Sequence, residues 1–80
     1  MPWVEFLWTE TALAKIAANH VTQEEAEQVV REARTVRTSR STGRPLVIGY
    51  TPAGRRIAVV FERIDGLTVQ PITAFSPEQE

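Results

Sequence analysis

Apolar residues recur with helical spacing early in the chain. Three apolar residues, followed by a histidine, fall at positions i, i+3, i+4 and i+7 along a segment of about residues 10–19 and its C-terminal end, which predicts an amphipathic helix with this stripe as its core face. Thr9 stands where an N-cap is needed, and its hydroxyl suits the unpaired N–H groups of a first turn. The four stripe residues are Leu13, Ile16, Ala17 and His20.

A second helix is predicted from a capping box that opens at Thr22. Glu25 stands three residues further on, and Val21 and Ala26 occupy the two positions of a hydrophobic staple. Glu27 and Arg31 are spaced to form an i,i+4 ion pair on the outside. The predicted buried face consists of Ala26, Val29, Val30 and Ala33.

Beyond Ala33 the period changes from helical to alternating, which predicts strands. An earlier alternating segment, residues 3–8, predicts one strand before the helices. The segment of residues 57–64 is apolar on both faces, which is typical of a central strand. The remaining predicted strands are residues 35–40, which are polar and suit an edge, residues 46–50 and residues 67–75.

Turn residues separate these strands. Residues 41–43 and 51–54 predict two turns, and Asp65-Gly66 predicts a tight hairpin. Pro71 cannot donate to a ladder, so the last strand is expected at a sheet edge or with a bulge. Residues 76–80 are predicted to form a disordered or barely ordered tail. The expected fold is a single α+β domain over residues 1–80, with two N-terminal helices on a mainly antiparallel sheet of four to five strands.

Size and composition exclude several classes of protein. The chain has 80 residues, no cysteine and one histidine, so a disulfide framework, a thiolate metal site and a classical zinc site are not expected. No glycine-rich phosphate loop is present, and no cofactor is expected. The sequence shows neither a membrane span nor a signal peptide, which predicts a cytoplasmic protein without membrane contact.

Charge is distributed unevenly along the chain. Its formal net charge is −1, yet eight of the nine basic residues are arginines between positions 31 and 63. That window contains only two acids, Glu32 and Glu62. Arginine offers a planar fork of donors that matches phosphate and carboxylate groups, so the cluster predicts a local contact with RNA or with an acidic partner. A solvated charged surface is the structural alternative.

The candidate site residues lie mainly on the predicted central hairpin. Arg55 and Arg56 are expected to hold a phosphodiester and stabilise charge as a 2′-hydroxyl attacks it, with Glu62 as general base. His20 is a second candidate for proton transfer, although its place at a helix end favours a capping role. Arg37, Arg44 and Arg63 are the expected additional phosphate contacts, and no metal ligand is expected.

Short motifs are distributed from about residue 6 to residue 74: Trp8, His20-Val21-Thr22, Glu24-Glu25-Ala26, Gly43-Arg44-Pro45, Ile48-Gly49, Thr51, Gly54-Arg55, Ile57-Ala58-Val59-Val60-Phe61 and Thr73-Ala74. Their order along the chain resembles the BrnT family of toxins, which belongs to the RelE-like group. The resemblance implies a small two-helix, antiparallel-sheet ribonuclease that is metal-independent, arrests growth and is neutralised by a cognate antitoxin of ribbon-helix-helix type. Arg55 matches the family's glycine-arginine motif.

One departure from the family leaves a second hypothesis open. Thr73-Ala74 is followed by Phe75, where BrnT-like toxins usually have an arginine that leads into a C-terminal helix. The first hypothesis is therefore a toxin-like endoribonuclease, and the alternative is a non-catalytic protein-binding module on the same fold with a degenerate active site. The aromatic residues of the first strand also leave a homodimer open.

Overall fold

A computed structural model describes residues 4–40 and 42–77. Two helices pack on one face of a five-stranded sheet of order β1-β5-β4-β3-β2. The α+β class is confirmed. The sheet is mixed because β1 runs parallel to β5 while the other three pairings are antiparallel, and the helices follow β1, which corresponds to the strand predicted before them. The elements are β1 (Glu5–Phe6), α1 (Glu10–Ala18), α2 (Gln23–Glu32), β2 (Arg37–Thr38), β3 (Pro45–Tyr50), β4 (Arg56–Arg63) and β5 (Thr68–Phe75).

Helix α1 begins as predicted but buries a different face. The Thr9 hydroxyl accepts a hydrogen bond from the Ala12 amide at 3.1 Å, which confirms the N-cap. Ala12 and Ile16 are each 2 % exposed, whereas Leu13 is 36 % exposed. Ala17 and His20 are also exposed, so the predicted stripe is wrong except at Ile16. Because Ala12 is small, α1 can pack closely on β5 with Ala12 toward the sheet, and this orientation of the helix leaves Leu13 facing solvent.

Helix α2 has the predicted start and the predicted core face. The Thr22 hydroxyl accepts from the Glu25 amide at 3.1 Å, and the Glu25 carboxylate accepts from the Thr22 amide at 2.9 Å. Ala26 and Val29 are buried, while Val30 and Ala33 pack against the same core at its margin. The Glu27–Arg31 ion pair also forms, at 3.7 Å.

Strand β4 is the centre of the sheet, as predicted. It pairs antiparallel with β3 on one side and β5 on the other. Ile57, Val59 and Phe61 face the helices and join the main core. Ala58 and Val60 face the opposite side, which we call the open face because neither helix covers it; Leu46 is buried beside them, with Ile48, Ile72 and Phe75 at the margin.

Strand β5 accommodates Pro71 through a bulge. The strand lies between β1 and β4, so the bulge alternative is confirmed and the edge alternative is wrong. Val60 pairs with Thr73 and Phe61 with Pro71, which leaves Ile72 as the extra residue. The Val69 carbonyl accepts a hydrogen bond from the Leu7 amide, next to β1. Because backbone groups of every second strand residue point to the same side, the nitrogen of Pro71 also points toward β1, but it lies beyond the last β1–β5 pair, Phe6 with Val69.

The connection between β4 and β5 is wider than the predicted two-residue turn. It spans residues 64–67, because Asp65 organises it through an Asx turn. The Asp65 carboxylate accepts from the amides of Leu67 at 2.8 Å and Thr68 at 2.9 Å. These bonds, the Leu67 amide above all, lower the pKa of Asp65 from its ordinary value.

The remaining strand predictions are partly confirmed. The first strand is only Glu5–Phe6, and Trp3 lies outside the described residues. Strand β2 is an edge strand, as predicted, but comprises only Arg37–Thr38. Gly54 has a φ of +84° in the predicted turn, a conformation that glycine adopts without steric cost. Of the predicted disordered tail, Ser76 and Pro77 are described and half-buried, and residues 78–80 lie outside the described chain.

Candidate nucleic-acid interface

A shallow depression beside the outer edge of β3 brings several arginines together. Strand β2 pairs with β3 only at Pro45 and Leu46, so the rest of β3 has no strand partner on that side within the described chain. The chain leading into β2 passes nearby without pairing and closes the depression. We call this surface the arginine depression; it is lined by Arg34, Thr35, Arg37, Ile48, Tyr50 and Arg56, with Gly49 at its base.

Tyr50 and Arg56 form the part of the depression that lies on the open face. They are direct cross-strand partners, so their Cβ atoms are roughly 5 Å apart. Tyr50 is 65 % exposed, which leaves its ring available to a flat ligand. A phenol beside a guanidinium is a combination that suits one unstacked base and its phosphate.

The electrostatics of the arginine depression are one-sided. Arg34, Arg37 and Arg56 contribute three positive charges, and none of the described residues that line the depression is acidic. Arginine keeps its charge at every physiological pH. The surface therefore attracts phosphate or carboxylate groups, and the attraction weakens as salt is added.

The backbone at this edge has hydrogen-bonding capacity as well. The Thr51 amide donates to the Arg55 carbonyl at 2.8 Å, which shows that the backbone groups of Thr51 point toward the β4 side. Alternation then directs the N–H and C=O groups of Ile48 and Tyr50 away from β4 and toward the depression. A ligand lying there meets backbone donors in addition to guanidinium groups.

Arg55 lies on the other side of the sheet and caps α1. Its Nη1 donates to the His20 carbonyl, and its Nη2 donates to the Asn19 carbonyl at 2.8 Å. These carbonyls end α1, where the helix dipole is negative and favours a cation. Two of the three N–H-bearing nitrogens of Arg55 are thus occupied within the fold.

His20 ends α1 through its backbone. It has a φ of +59°, its amide donates to Ala17, and the Val21 amide donates to Ile16, which together form a Schellman motif with His20 in the left-handed position. This is the capping location that sequence analysis favoured over proton transfer. The part of His20 that ends the helix is its backbone, and its imidazole is exposed.

Glu62 lies at the far end of β4 from Arg56. Its Oε1 accepts from the Arg44 Nε at 2.8 Å, in an ion pair on the open face with both side chains partly exposed. Glu62 is six positions further along the strand than Arg56, a distance of about 20 Å. The predicted general base and the predicted phosphate-holding arginines are therefore not brought to one phosphodiester.

The structure divides the predicted site residues into groups. Arg37 and Arg56 meet in the arginine depression; Arg44 and Glu62 pair with each other; Arg55 and His20 meet at the end of α1. Arg63 lies at a separate cleft on the helix side.

Sequence analysis missed Arg34 and Tyr50 as members of the site. The signal for Tyr50 was available, since it alternates with Leu46 and Ile48 and so belongs to the same face as Arg56. Arg34 carried no such signal, because its position follows from the irregular path between α2 and β2.

Neither described helix is long and apolar enough to cross a membrane. Across residues 4–40 and 42–77, no three His, Cys, Asp or Glu side chains are grouped as metal ligands. No family model, curated protein or solved structure matches this chain. The resemblance to BrnT-like toxins therefore stays a prediction.

Proposed function

We propose that this protein is a toxin-like component of a bacterial toxin–antitoxin pair and that it contacts single-stranded RNA through the arginine depression. The observation that carries the proposal is the meeting of Arg34, Arg37 and Arg56 around the exposed ring of Tyr50. The RelE/BrnT-like fold, the cytoplasmic location and a ribbon-helix-helix antitoxin are parts of the same proposal, and they follow from the sequence resemblance.

In this proposal the RNA is held by two kinds of contact. The guanidinium groups bind successive phosphates, and one base stacks on the Tyr50 ring. Base–aromatic stacking contributes about 1–3 kcal/mol per base and requires bases that are not already paired. Single-stranded RNA is therefore the expected ligand.

A second candidate function is favoured by the positions of Arg55 and Glu62. Attack by a 2′-hydroxyl needs a proton acceptor, and the described lining of the depression contains neither a carboxylate nor an imidazole. Glu62 is paired with Arg44, and Arg55 is bound to α1. These contacts support a non-catalytic module that binds RNA or an acidic protein without cleaving RNA.

RNA binding can be tested with the double variant Arg37→Ala, Arg56→Ala. We expect its affinity for a fluorescein-labelled single-stranded RNA, measured by fluorescence anisotropy, to fall at least tenfold, which corresponds to about 1.4 kcal/mol. The matched control, Lys15→Ala with Arg40→Ala, removes the same charge from exposed positions outside the depression and should lose less than threefold. Equal losses in the two variants would mean that binding is non-specific and would contradict the proposal.

Growth after induced expression separates the two candidate functions. A ribonuclease toxin should arrest growth and shorten cellular RNA, and the Arg37→Ala, Arg56→Ala variant, checked to be folded and equally abundant, should do neither. Binding of RNA in vitro with intact RNA in the cells would favour the non-catalytic module.

A further inference from the structure

A second concave surface lies on the helix side of the sheet, at the end where α2 stops. It is a cleft of about 270 Å³ between the last turn of α2, the start of β1 and the β4–β5 connection. Its walls are apolar and come from four separate elements and the segment after α2. The wall residues are Val30, Ala33, Val36, Val47, Phe61 and Val69.

The apolar lining continues to the mouth of the cleft instead of closing over it. Val36 is 46 % exposed and Leu67 is 60 % exposed, and both line the cleft. Concave apolar surface that stays open to solvent is the usual form of a small-molecule site when a few polar groups converge on it.

Three charged side chains lie around this cleft, and they are not equally available. Arg31 is already held, because it pairs with Glu27 at 3.7 Å and stacks 5.0 Å above the Phe6 ring. The Asp65 carboxylate is held in its own turn, because one of its oxygens accepts hydrogen bonds from the Leu67 and Thr68 amides. Arg63 has no ion pair within the described chain and is exposed. Arg63 is therefore the group that can bind an incoming anion.

The volume limits the size of the ligand. An apolar cavity of about 150 Å³ holds benzene, and sites for drug-sized ligands begin at about 300 Å³. A cleft of about 270 Å³ thus suits one aromatic ring or a short branched chain with a small polar group attached.

We propose that this cleft binds a small apolar monocarboxylate, with its ring or branched chain against the apolar walls and its carboxylate on Arg63. A planar guanidinium pairs with a carboxylate through two parallel hydrogen bonds, which fixes the orientation of the acid. The site is independent of the proposed RNA contact. Ala33 and Val36 face the cleft, whereas Arg34, Thr35 and Arg37 of the same segment face the arginine depression.

The test is a titration of the full chain with phenylacetate and, in parallel, with its neutral analogue phenylacetamide, followed by amide chemical shifts in ¹H–¹⁵N spectra. We expect phenylacetate to bind with a Kd on the order of 1 mM, the range for about ten non-hydrogen atoms. Shifts should be confined to residues around the cleft, and phenylacetamide should bind at least fivefold more weakly.

Two variants identify the contacts. Arg63→Gln should weaken phenylacetate at least fivefold and phenylacetamide less than twofold, whereas Arg40→Gln, which removes an exposed charge elsewhere, should change neither. Val36→Trp should fill the cleft and abolish binding of both compounds while leaving the spectrum otherwise native, because position 36 is exposed and lies outside the helices and strands.

Three outcomes would overturn the proposal. The first is the absence of shifts up to 20 mM phenylacetate, roughly twentyfold above the expected Kd. The second is equal binding of acid and amide. The third is concentration-dependent broadening of the cleft resonances without ligand, which would assign the cleft to a second copy of the chain. Because RNA binding is measured on separate residues, its failure would not affect these results.

Discussion

Arg55 shows that one sequence motif can serve the fold where a catalytic role was expected. Its guanidinium joins the residues that end α1 to the start of β4, across 35 and 36 positions of sequence. Hydrogen bonds from a charged donor contribute about 1.5–3 kcal/mol each in favourable cases, and less where water competes. A role in stability therefore follows from geometry alone.

We expect Arg55→Ala to lower the free energy of unfolding by about 1–2 kcal/mol, because the last carbonyls of α1 lose their donors. Urea denaturation followed by circular dichroism measures this, with Arg40→Ala as an exposed control expected to lie within about 0.5 kcal/mol of wild type. RNA affinity at a temperature where the variant is folded should be unchanged. If the variant were as stable as wild type but had lost RNA affinity, Arg55 would instead be assigned to the RNA-binding site.

His20 offers a test in which stability and chemistry change in opposite directions. Its positive φ costs a side-chain-bearing residue about 1–2 kcal/mol, and glycine avoids that cost while losing part of the gain to unfolded-chain entropy. We expect His20→Gly to raise the free energy of unfolding by roughly 0.5–1 kcal/mol.

The same His20→Gly variant removes the imidazole. If His20 acts only through its backbone, any RNA cleavage by the wild type should persist in this variant, and His20→Ala should show no gain in stability. A loss of cleavage in both variants with their folds intact would support the imidazole as a proton carrier.

At the scale of elements, Gly49 sets how closely α2 approaches the sheet. A Cβ added at Gly49 would lie 3.2 Å from a γ-carbon of Val29, which is nearer than ordinary van der Waals contact. Glycine is therefore needed here for close approach and not for an unusual φ. The contact between Gly49 and Val29 therefore limits how closely α2 and β3 can approach each other.

We expect Gly49→Ala to destabilise the protein by about 1–2 kcal/mol through overpacking against the buried side chain of Val29. In a Val29→Ala background the same change should be neutral or stabilising, since the opposing γ-carbons are gone. Gly66→Ala is the matched control: nothing lies within 4 Å of its added Cβ, so an effect within about 0.5 kcal/mol is expected. Additive effects of Gly49→Ala and Val29→Ala in chemical denaturation would show that the contact does not limit packing.

Sequence periodicity predicted the elements that depend on local signals. The capping box of α2, the central position of β4 and the bulge alternative at Pro71 all follow from residues whose chemistry acts within a few positions. The core face of α1 was wrong because Leu13 and Ala12 are separated by about 100° around the helix, and the packing against β5 decided between them.

The site was less predictable than the fold. Strand parity placed Arg56 and Glu62 on one face correctly, but it gave no warning that they lie at opposite ends of an eight-residue strand with Glu62 already paired. Arg34 enters the depression because the chain begins to pair with β3 only at Arg37, a starting point that no local residue pattern indicates.

For the whole molecule, the uneven charge predicts a measurable salt dependence. With three arginines at the depression, log K for single-stranded RNA should fall with log salt at a slope of about −2, from 0.7 per phosphate contact. The Arg37→Ala, Arg56→Ala variant should show a slope of about −0.7. Anisotropy titrations between 50 and 200 mM salt measure both values, and identical slopes would place the phosphate contacts elsewhere.

The pairing of β1 with β5 has a consequence for how the chain is made. Phe6 finds its ladder partner at Val69, roughly sixty residues later, so the sheet cannot be completed until nearly the whole described chain has been synthesised. At 5 to 20 residues per second, the first strand waits roughly 3 to 12 s on the ribosome before its partner exists. During that interval Phe6, the apolar residue of β1, has no strand partner, so we expect the yield of folded protein to depend on translation speed.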